Sequence, residues 1–431
     1  MKILHYTIGF PPERSGGLPR YATDLMNEQV NQGCEVCAFY PGRINILKKR
    51  PYLKKIQRNV VPNVDVYELI NSLPLPLFGG IKEPDTFMKK IDSSIYKEFL
   101  SKIGADVIHV HTLMGLHKEF FKVAKDLKIS IVFTSHDYFG LAPEPNFFLN
   151  GKSYDKTNTV NDWINASAGA MSTRKLRLFQ SKYYVILRKI LKKVKYQPKG
   201  KNAGHENTID AQYGELKKYY GDIFNLIDKF HFNSIVSKEV FIKNVKKRIK
   251  YKIITITTSD IYRRSFEKQR DKRIRIAYIG PDKEFKGFNE FIKLSLMMKN
   301  EIKYEFHSYG YTPTTTIIGI NQHGIYNKYE LERIYSQIDI LIVPSKWKET
   351  FGLTVLEAIS MNTKVFVSKN TGASELLPEY YKFSTIEELR NKIININLND
   401  GQQNNKIKTI SYHCGEVISF YQERIHINES R

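Results

Sequence analysis

The sequence predicts an α/β protein of two parallel-sheet domains in series. Three observations predict it. Short apolar runs alternate with helical segments, the order that builds β–α–β units. That order breaks in a polar stretch and restarts beyond about residue 272. The 431 residues suffice for two domains of about 200 residues, each with its own core.

The elements follow in order. Lys2–Ile8 (KILHYTI) reads as a buried strand, and Phe10–Arg20 (FPPERSGGLPR) as a Pro/Gly/Ser loop. A helix over about Arg20–Gln32 is closed by Gly33, and a strand follows over 35–40. Ala105–His111 and Ile129–Ser135 read as two further strands with a helix at 117–127 between them. Residues 145–222 break the rhythm and are taken as an insertion. Lys229–Asn233 returns to a strand, and Ser237–Lys250 reads as a basic helix. The second unit opens with strand Ile274–Gly280 and helix Phe288–Lys299. It continues through strand Tyr304–Tyr309, helix Lys328–Gln337, strand Asp339–Pro344, helix Thr354–Met361 and strand Lys364–Ser368. Helices at 387–395 and 411–426 complete the chain. The expected domains are therefore 1–255 and 256–410, with a boundary segment near 255–272. Ligands of such sheets sit beyond the carboxyl ends of the strands, so the cleft between the domains is the expected site.

Composition excludes several classes. A hydrophobic fraction of 42% with 13% aromatics is not that of a disordered chain. Three cysteines exclude a disulfide scaffold and point to a reducing compartment. Cys34 and Cys37 have the spacing of half a metal knuckle, but CEVCAFY reads as a strand, in which i and i+3 point to opposite faces, so a metal or redox role is not expected. No apolar run approaches the roughly 18–20 residues that span a bilayer, and MKILHYTIGF is too short in apolar residues for a signal peptide. A soluble or membrane-surface protein of the cytoplasm is expected, and the Lys/Asn/Ile-rich composition hints at a bacterial chain.

The balance of 67 Lys+Arg against 44 Asp+Glu gives +23, which draws the protein to an anionic partner. Trp163 to His205 holds 11 Lys+Arg and no Asp or Glu. Within it, Leu176, Phe179, Tyr183, Ile186, Ile190 and Val194 fall along one helical stripe over 174–195. Two readings stand: a basic amphipathic helix on an anionic membrane, or an ordinary helix with its stripe on the core. The basic-apolar stretch 44–58 adds weight to the membrane. Nucleic acid is not expected, since no zinc-finger spacing or RRM aromatic motif accompanies the charge.

The chemistry concentrates in PSKWKETFGLTVLEAIS (344–360). A strand ends at Pro344, a loop carries Glu349, and a helix begins near Thr354 with Glu357 in its first turns. The backbone N–H groups of Phe351, Gly352, Leu353 and Thr354 then face outward at a helix N-terminus, a site for phosphate oxygens. Carboxylates repel phosphate, so the two glutamates suit hydroxyls on either side of it. A nucleotide sugar has that layout: ribose, diphosphate, sugar.

Glu349 and Glu357, eight positions apart with FGL between them, resemble the signature of the family-4 glycosyltransferases. YIGPDKEFKGFNEF (278–291) resembles the family's Gly-Arg…Lys-Gly loop, in which the Arg and Lys neutralise the donor diphosphate. Lys286 matches; the Arg position is Pro281, which leaves the second charge to Lys283 or to the helix N-terminus. Gly16 and Gly17 match the Gly–Gly that the family carries beside the donor phosphate and acceptor, and such glycines admit close backbone approach. His136 matches a histidine that contacts the donor sugar near the reacting carbon, and Asp137 beside it is a candidate to orient acceptor or sugar. His109 and His111 are read as structural, binding loop carbonyls; Gly324 and Tyr326 fall near the family's base-pocket turn, or simply make a strand-to-helix turn. The resemblance covers roughly 1–140 and 225–380.

What the resemblance implies is a GT-B fold, two Rossmann-like domains facing across a cleft, acceptor on the N-terminal side and nucleotide sugar on the C-terminal side. The final helix, 411–431, is expected to pack back on the first domain. The implied reaction is a retaining, donor-assisted sugar transfer to a hydroxyl, with Glu349 on sugar hydroxyls, Glu357 on the ribose, and Lys286 and the 351–354 amides on the leaving diphosphate. UDP is the expected carrier as the commonest one. No metal and no cofactor are expected, since no His/Asp/Glu cluster has metal spacing. The basic segment makes a lipid-linked glycan on the inner face of the plasma membrane the expected acceptor. A sugar-nucleotide epimerase, or a non-catalytic glycan- or nucleotide-binding protein, are the alternatives on the same fold.

Overall fold

The computed structural model describes all residues except 49, 77–78, 182–206, 263, 265–267, 269–271, 399–406 and 424–431. Two sheets organise it. The first takes β1 (Lys2–Tyr6), β2 (Glu35–Pro41), β3 (Tyr52–Lys55), β4 (Asp65–Ile70), β5 (Val107–Val110) and β6 (Ser130–Thr134). After the small hairpin β7 (Phe148–Leu149) and β8 (Lys152–Ser153) come β9 (Lys229–Phe232) and β10 (Tyr251–Ile253). Its order is β10-β9-β6-β5-β1-β2-β4-β3. All pairs are parallel except the edge, where β3 runs antiparallel to β4.

The second sheet takes β11 (Ile274–Ile279), β12 (Tyr304–Tyr309), β13 (Asn321–Gln322), β14 (Ile340–Val343), β15 (Lys364–Ser368) and β16 (Lys382–Phe383). Its order is β13-β12-β11-β14-β15-β16, and every pair is parallel. The central strand β14 is a continuous apolar run, ILIV, and β11 is broken only by Arg275, which pairs with Asp339, as expected of strands covered on both faces. This is the GT-B arrangement of two Rossmann-like domains.

Residues 145–222 are not an insertion throughout. Helix Asn207–Leu226 is the crossover between β6 and β9 and buries Tyr213, Leu216, Tyr220, Ile223 and Phe224 in the first core. Helix Val160–Ser167 packs against it, with Trp163 fully buried. Of the basic stripe, Leu176 and Phe179 lie on helix Thr173–Phe179 and face the core. Tyr183, Ile186, Ile190 and Val194 fall outside the described residues. The helix Ser94–Ile103 and strands β3 and β4 also carry no sequence expectation above. The expected helix over 237–250 is shorter, Ile235–Asn244, and is followed by β10. No helix among the described residues is long and apolar enough to cross a membrane.

The chain returns at its end. Helix Ile410–Gln422 packs against helix Gly17–Asn31 of the first domain. Tyr21 and His413 are joined at 2.8 Å, and Gln29 donates to the Tyr421 hydroxyl at 3.1 Å. Lys229 Nζ donates to the carbonyls of Phe420 and Tyr421 at that helix's carboxyl end, where a cation is favoured.

Candidate active site

The carboxyl ends of β6, β9, β11 and β14 converge on one cleft between the domains. A cavity of about 320 Å³ there is lined by His136 and Asn233 from the first sheet and by Gly280, Pro281, Lys286, Pro344, Ser345, Trp347 and Glu349 from the second. Gly17 and Leu18 close one side; Phe351, Gly352, Leu353 and Thr354 form the floor.

The floor follows from local sequence. Helix Leu353–Ser360 starts at Gly352, whose φ of 101° lies in the left-handed region, and no side chain caps it. A Cβ at Gly352 would meet Thr371 Cγ2 at 2.8 Å, so the tight turn needs glycine. The helix N-terminus thus faces the cleft with its amides unclaimed by a side-chain cap, suited to an anion.

The Lys286 loop is held by a second such turn. Gly287 has φ 76°, and a Cβ there would lie 1.8 Å from the Pro344 carbonyl oxygen. Only glycine lets the β11 loop touch the end of β14 so closely. That approach puts Lys286 Nζ 2.5 Å from Glu349 Oε1 and 5.1 Å from the Trp347 ring centre. Ser345 Oγ donates to the other oxygen of Glu349. Lys286 is the one Lys or Arg among the described residues lining the cleft.

Glu357 is buried and turned toward the first domain. Arg20 Nη1 lies 2.7 Å from Glu357 Oε1, and Arg20 Nε lies 3.1 Å from Asp260 Oδ1. Burial raises the Glu357 pKa, and Arg20 opposes that shift. Tyr326 and Tyr335 both sit in the field of this carboxylate. Other contacts tie the domains across the cleft. Thr350 Oγ1 donates to the His136 carbonyl at 3.0 Å, Ser234 Oγ to the Thr350 carbonyl at 2.6 Å, and Tyr138 to the Lys348 carbonyl at 2.7 Å.

Most of the residues named from sequence meet here: Gly17, His136, Lys286, Glu349, Phe351, Gly352, Leu353 and Thr354. Gly16 adjoins them as the exposed residue before the first helix, with φ 132°. Lys283 is exposed and is not among the residues lining the cleft, because the turn at 284–286 carries its side chain outward. The expected second charge at the Pro281 position is therefore not placed on the cleft lining by Lys283. Asp137 also lies off the lining; its carboxylate accepts from the Phe139 amide and Thr112 Oγ1, and burial pushes it up to about 7. Gly324 accepts from the Gly310 amide at the turn after β13.

His109 and His111 do not bind loop carbonyls. Both are fully buried and bond other side chains: His109 to Thr134 and Tyr421, His111 to His5 and His136. The ring nitrogens of His5, His109 and His111 lie within 4.8 Å of one another, close enough for a metal ion. Each of them is instead engaged by a protein partner. Burial holds His136 down to about 3, so its ring is neutral.

Two cleft residues escaped the sequence reading. Asn233 Nδ2 and Trp347 Nε1 are buried donors without a partner, and both residues line the cavity. Buried unpaired donors are costly, so these two are available to the acceptors of a ligand. Their signal was position alone: Asn233 follows β9 and Trp347 precedes Glu349.

A second cavity, of about 560 Å³, opens in the first domain behind the same β1 loop. Phe10, Ile56 and Phe179 give it apolar walls; Arg14, Arg43, Lys54, Lys55 and Arg58 face Glu13 and Glu68 around it. Arg43 pairs with Glu68 at 3.0 Å and Arg58 with Glu13 at 2.7 Å.

Two family models match the chain: Glycosyltransferase Family 4 over residues 15–175 and Glycosyl transferases group 1 over residues 263–412. A curated relative, an uncharacterised 42.6 kDa protein in the cps region of Klebsiella pneumoniae, is 23% identical over 342 residues, covering 76% of this chain and 75% of that one. Solved structures with the same fold include sucrose-phosphate synthase from Thermosynechococcus elongatus, at TM-score 0.54 and 15% identity, covering 97% of this chain and 94% of that one. The UDP-forming trehalose-phosphate synthase from Burkholderia xenovorans gives 0.57 and 12%, covering 98% and 100%. HepE from Anabaena, solved with UDP and glucose, gives 0.51 and 14%, covering 98% and 95%.

Proposed function

From the premise that this chain is a glycosyltransferase of the family-4, bacterial polysaccharide type on the GT-B fold, we propose that it transfers a sugar from UDP to a lipid-linked glycan with retention. The Lys286–Glu349 pair beside the helix N-terminus at Gly352 carries this reading. An arriving diphosphate takes Lys286 and the 352–354 amides. Glu349, released from the ammonium, then accepts hydrogen bonds from sugar hydroxyls. Glu357 reaches the ribose while still held by Arg20.

The transfer is same-face and donor-assisted. The bond from the anomeric carbon to the diphosphate oxygen breaks, and the acceptor oxygen bonds to that carbon on the face the leaving group vacates. The acceptor's proton passes to the leaving phosphate oxygen. Lys286 and the amides stabilise the charge that develops there. Neither a metal nor a further cofactor is assigned a part.

The acceptor sits on the first domain. The apolar and cationic walls of the 560 Å³ cavity suit a phosphate-bearing lipid carrier, and the chain's +23 favours the inner face of an anionic membrane. Pro281 in the cleft favours a second reading, a binding protein that holds nucleotide sugar without transfer.

Ligand-induced melting with UDP, GDP, ADP and their sugar conjugates tests the donor. A shift with one nucleotide identifies the base by mass action. No shift at millimolar concentration overturns the reading. Sedimentation with anionic lipid vesicles tests the membrane, and recovery in the supernatant counts against it.

A further inference from the structure

Eight hydrogen bonds link His136 in the cleft to the backbone at Ile254, through four further histidines and three other side chains. Ile254 lies just past β10, at the start of the segment joining the two sheets. Its carbonyl only accepts, so His231 Nε2, 2.8 Å away, must carry a proton. His231 is fully buried; burial holds it to about 4, so the ring is neutral and Nδ1 accepts. The Thr134 hydroxyl donates to that Nδ1 at 2.9 Å. A hydroxyl has one proton, so Thr134 accepts from His109 Nε2 at 2.6 Å.

The same logic runs on. His109 Nδ1 accepts from the Tyr421 hydroxyl at 2.6 Å. Tyr421 in turn accepts from Gln29 Nε2 at 3.1 Å, which orients the amide. Gln29 Oε1 accepts from His5 Nε2 at 2.7 Å. His5 Nδ1 accepts from His111 Nε2 at 3.0 Å, and His111 Nδ1 accepts from His136 Nε2 at 3.2 Å. One carbonyl decides every donor along the way.

We infer that this one-way chain fixes His136 as the Nε2–H tautomer, leaves Nδ1 as its only free ring atom, and so presents a hydrogen-bond acceptor to a hydroxyl of the donor sugar. The ligand's identity rests on the proposed function; the tautomer does not. A neutral acceptor gives nothing to a diphosphate, which leaves Lys286 as the cation of the cleft. Tyr421, on the last helix and remote from the cleft, becomes a positioning residue for His136. Gln29 and Thr134 act in the same way. The chain thus binds the state of the cleft to the C-terminal helix and to the start of the inter-sheet segment.

The test labels the histidines of the full chain with 15N and reads each ring's tautomer by long-range 1H–15N correlation at neutral pH, without ligand. Loss of one ring's signals in His136→Gln assigns that residue. The expected spectrum has Nε2 protonated and Nδ1 bare on His136, His111, His5, His109 and His231. A proton on His136 Nδ1 overturns the inference. Tyr421→Phe keeps the ring and severs the chain, so His136 should then populate both tautomers. The donor's KM should rise about tenfold, with kcat changing less, as for one weakened hydrogen bond. An unchanged His136 tautomer in that variant overturns the inference. Should it fail to fold, Thr134→Val severs the chain elsewhere, and the wild-type spectrum decides by itself. Because no donor is present in the spectrum, failure of donor binding counts against the proposed function and leaves the chain standing.

Discussion

Lys286 Nζ lies 2.5 Å from Glu349 Oε1, on two loops that meet only because Gly287 packs on the Pro344 carbonyl. Each partner neutralises the other in the cleft. In the proposed reaction their ligands differ: diphosphate for the lysine, sugar hydroxyls for the glutamate.

That difference is measurable by calorimetry with the bare nucleotide and its sugar conjugate. Lys286→Met should weaken both by about 10–100-fold, the range of a hydrogen bond to a charged group. Glu349→Gln should leave the bare nucleotide as tight or tighter, since its competitor for Lys286 is gone. It should still weaken the preference for the sugar conjugate. Equal losses for both ligands in Glu349→Gln would contradict the assignment.

Arg20 joins the first helix to Glu357 and Asp260 of the other half. Its removal leaves two carboxylates close together, one of them buried. Arg20→Ala should cost about 2–3 kcal/mol in denaturant unfolding, less than a fully buried pair because Arg20 is partly exposed. Small-angle scattering should show a more open molecule. A variant of wild-type stability and dimensions would contradict the role.

The buried histidines make folding acid-sensitive. Burial lowers His5 and His231 to about 4 and His136 to about 3, against 6.5 for the free side chain. Between those values the unfolded chain binds the protons, so stability is full above pH 6.5 and falls as the pH drops. Each such group removes about 1.4 kcal/mol per pH unit in that window. Melting temperature should be flat from about pH 8 to 7 and fall steeply below 6.5. A flat profile to pH 5 would show that the rings are not held neutral.

In the proposed reaction the diphosphate meets Lys286 and the Gly352 helix terminus. Transfer should therefore persist in EDTA, changing by less than about twofold, well inside the tenfold that 1.4 kcal/mol represents. Loss of activity on chelation, restored by a divalent cation, would require a different account of the leaving group.

Much of the cleft was legible because its parts are local. A strand ending at Pro344, a glutamate and a helix start lie within one run of sequence, as do Lys286 and Gly287. Their meeting at the carboxyl ends of parallel strands follows from the topology. What was illegible depends on long separations. Arg20 and Glu357 are 337 positions apart, and Tyr421 and His109 are 312 apart. The helix Asn207–Leu226 was readable in principle, since Tyr213, Leu216, Tyr220 and Phe224 keep a helical period. The basic, glycine-bearing stretch before it masked that period. Lys283 was misplaced because sequence gives no direction to a side chain on a turn.

Transfer itself tests the central claim most directly. The full chain, supplied with UDP-sugars and a lipid extract, is followed by NMR for a new glycosidic bond. The account predicts a product with the donor's anomeric configuration and a rate about 100-fold lower in Lys286→Ala. An inverted product, or an undiminished rate in that variant, would contradict it.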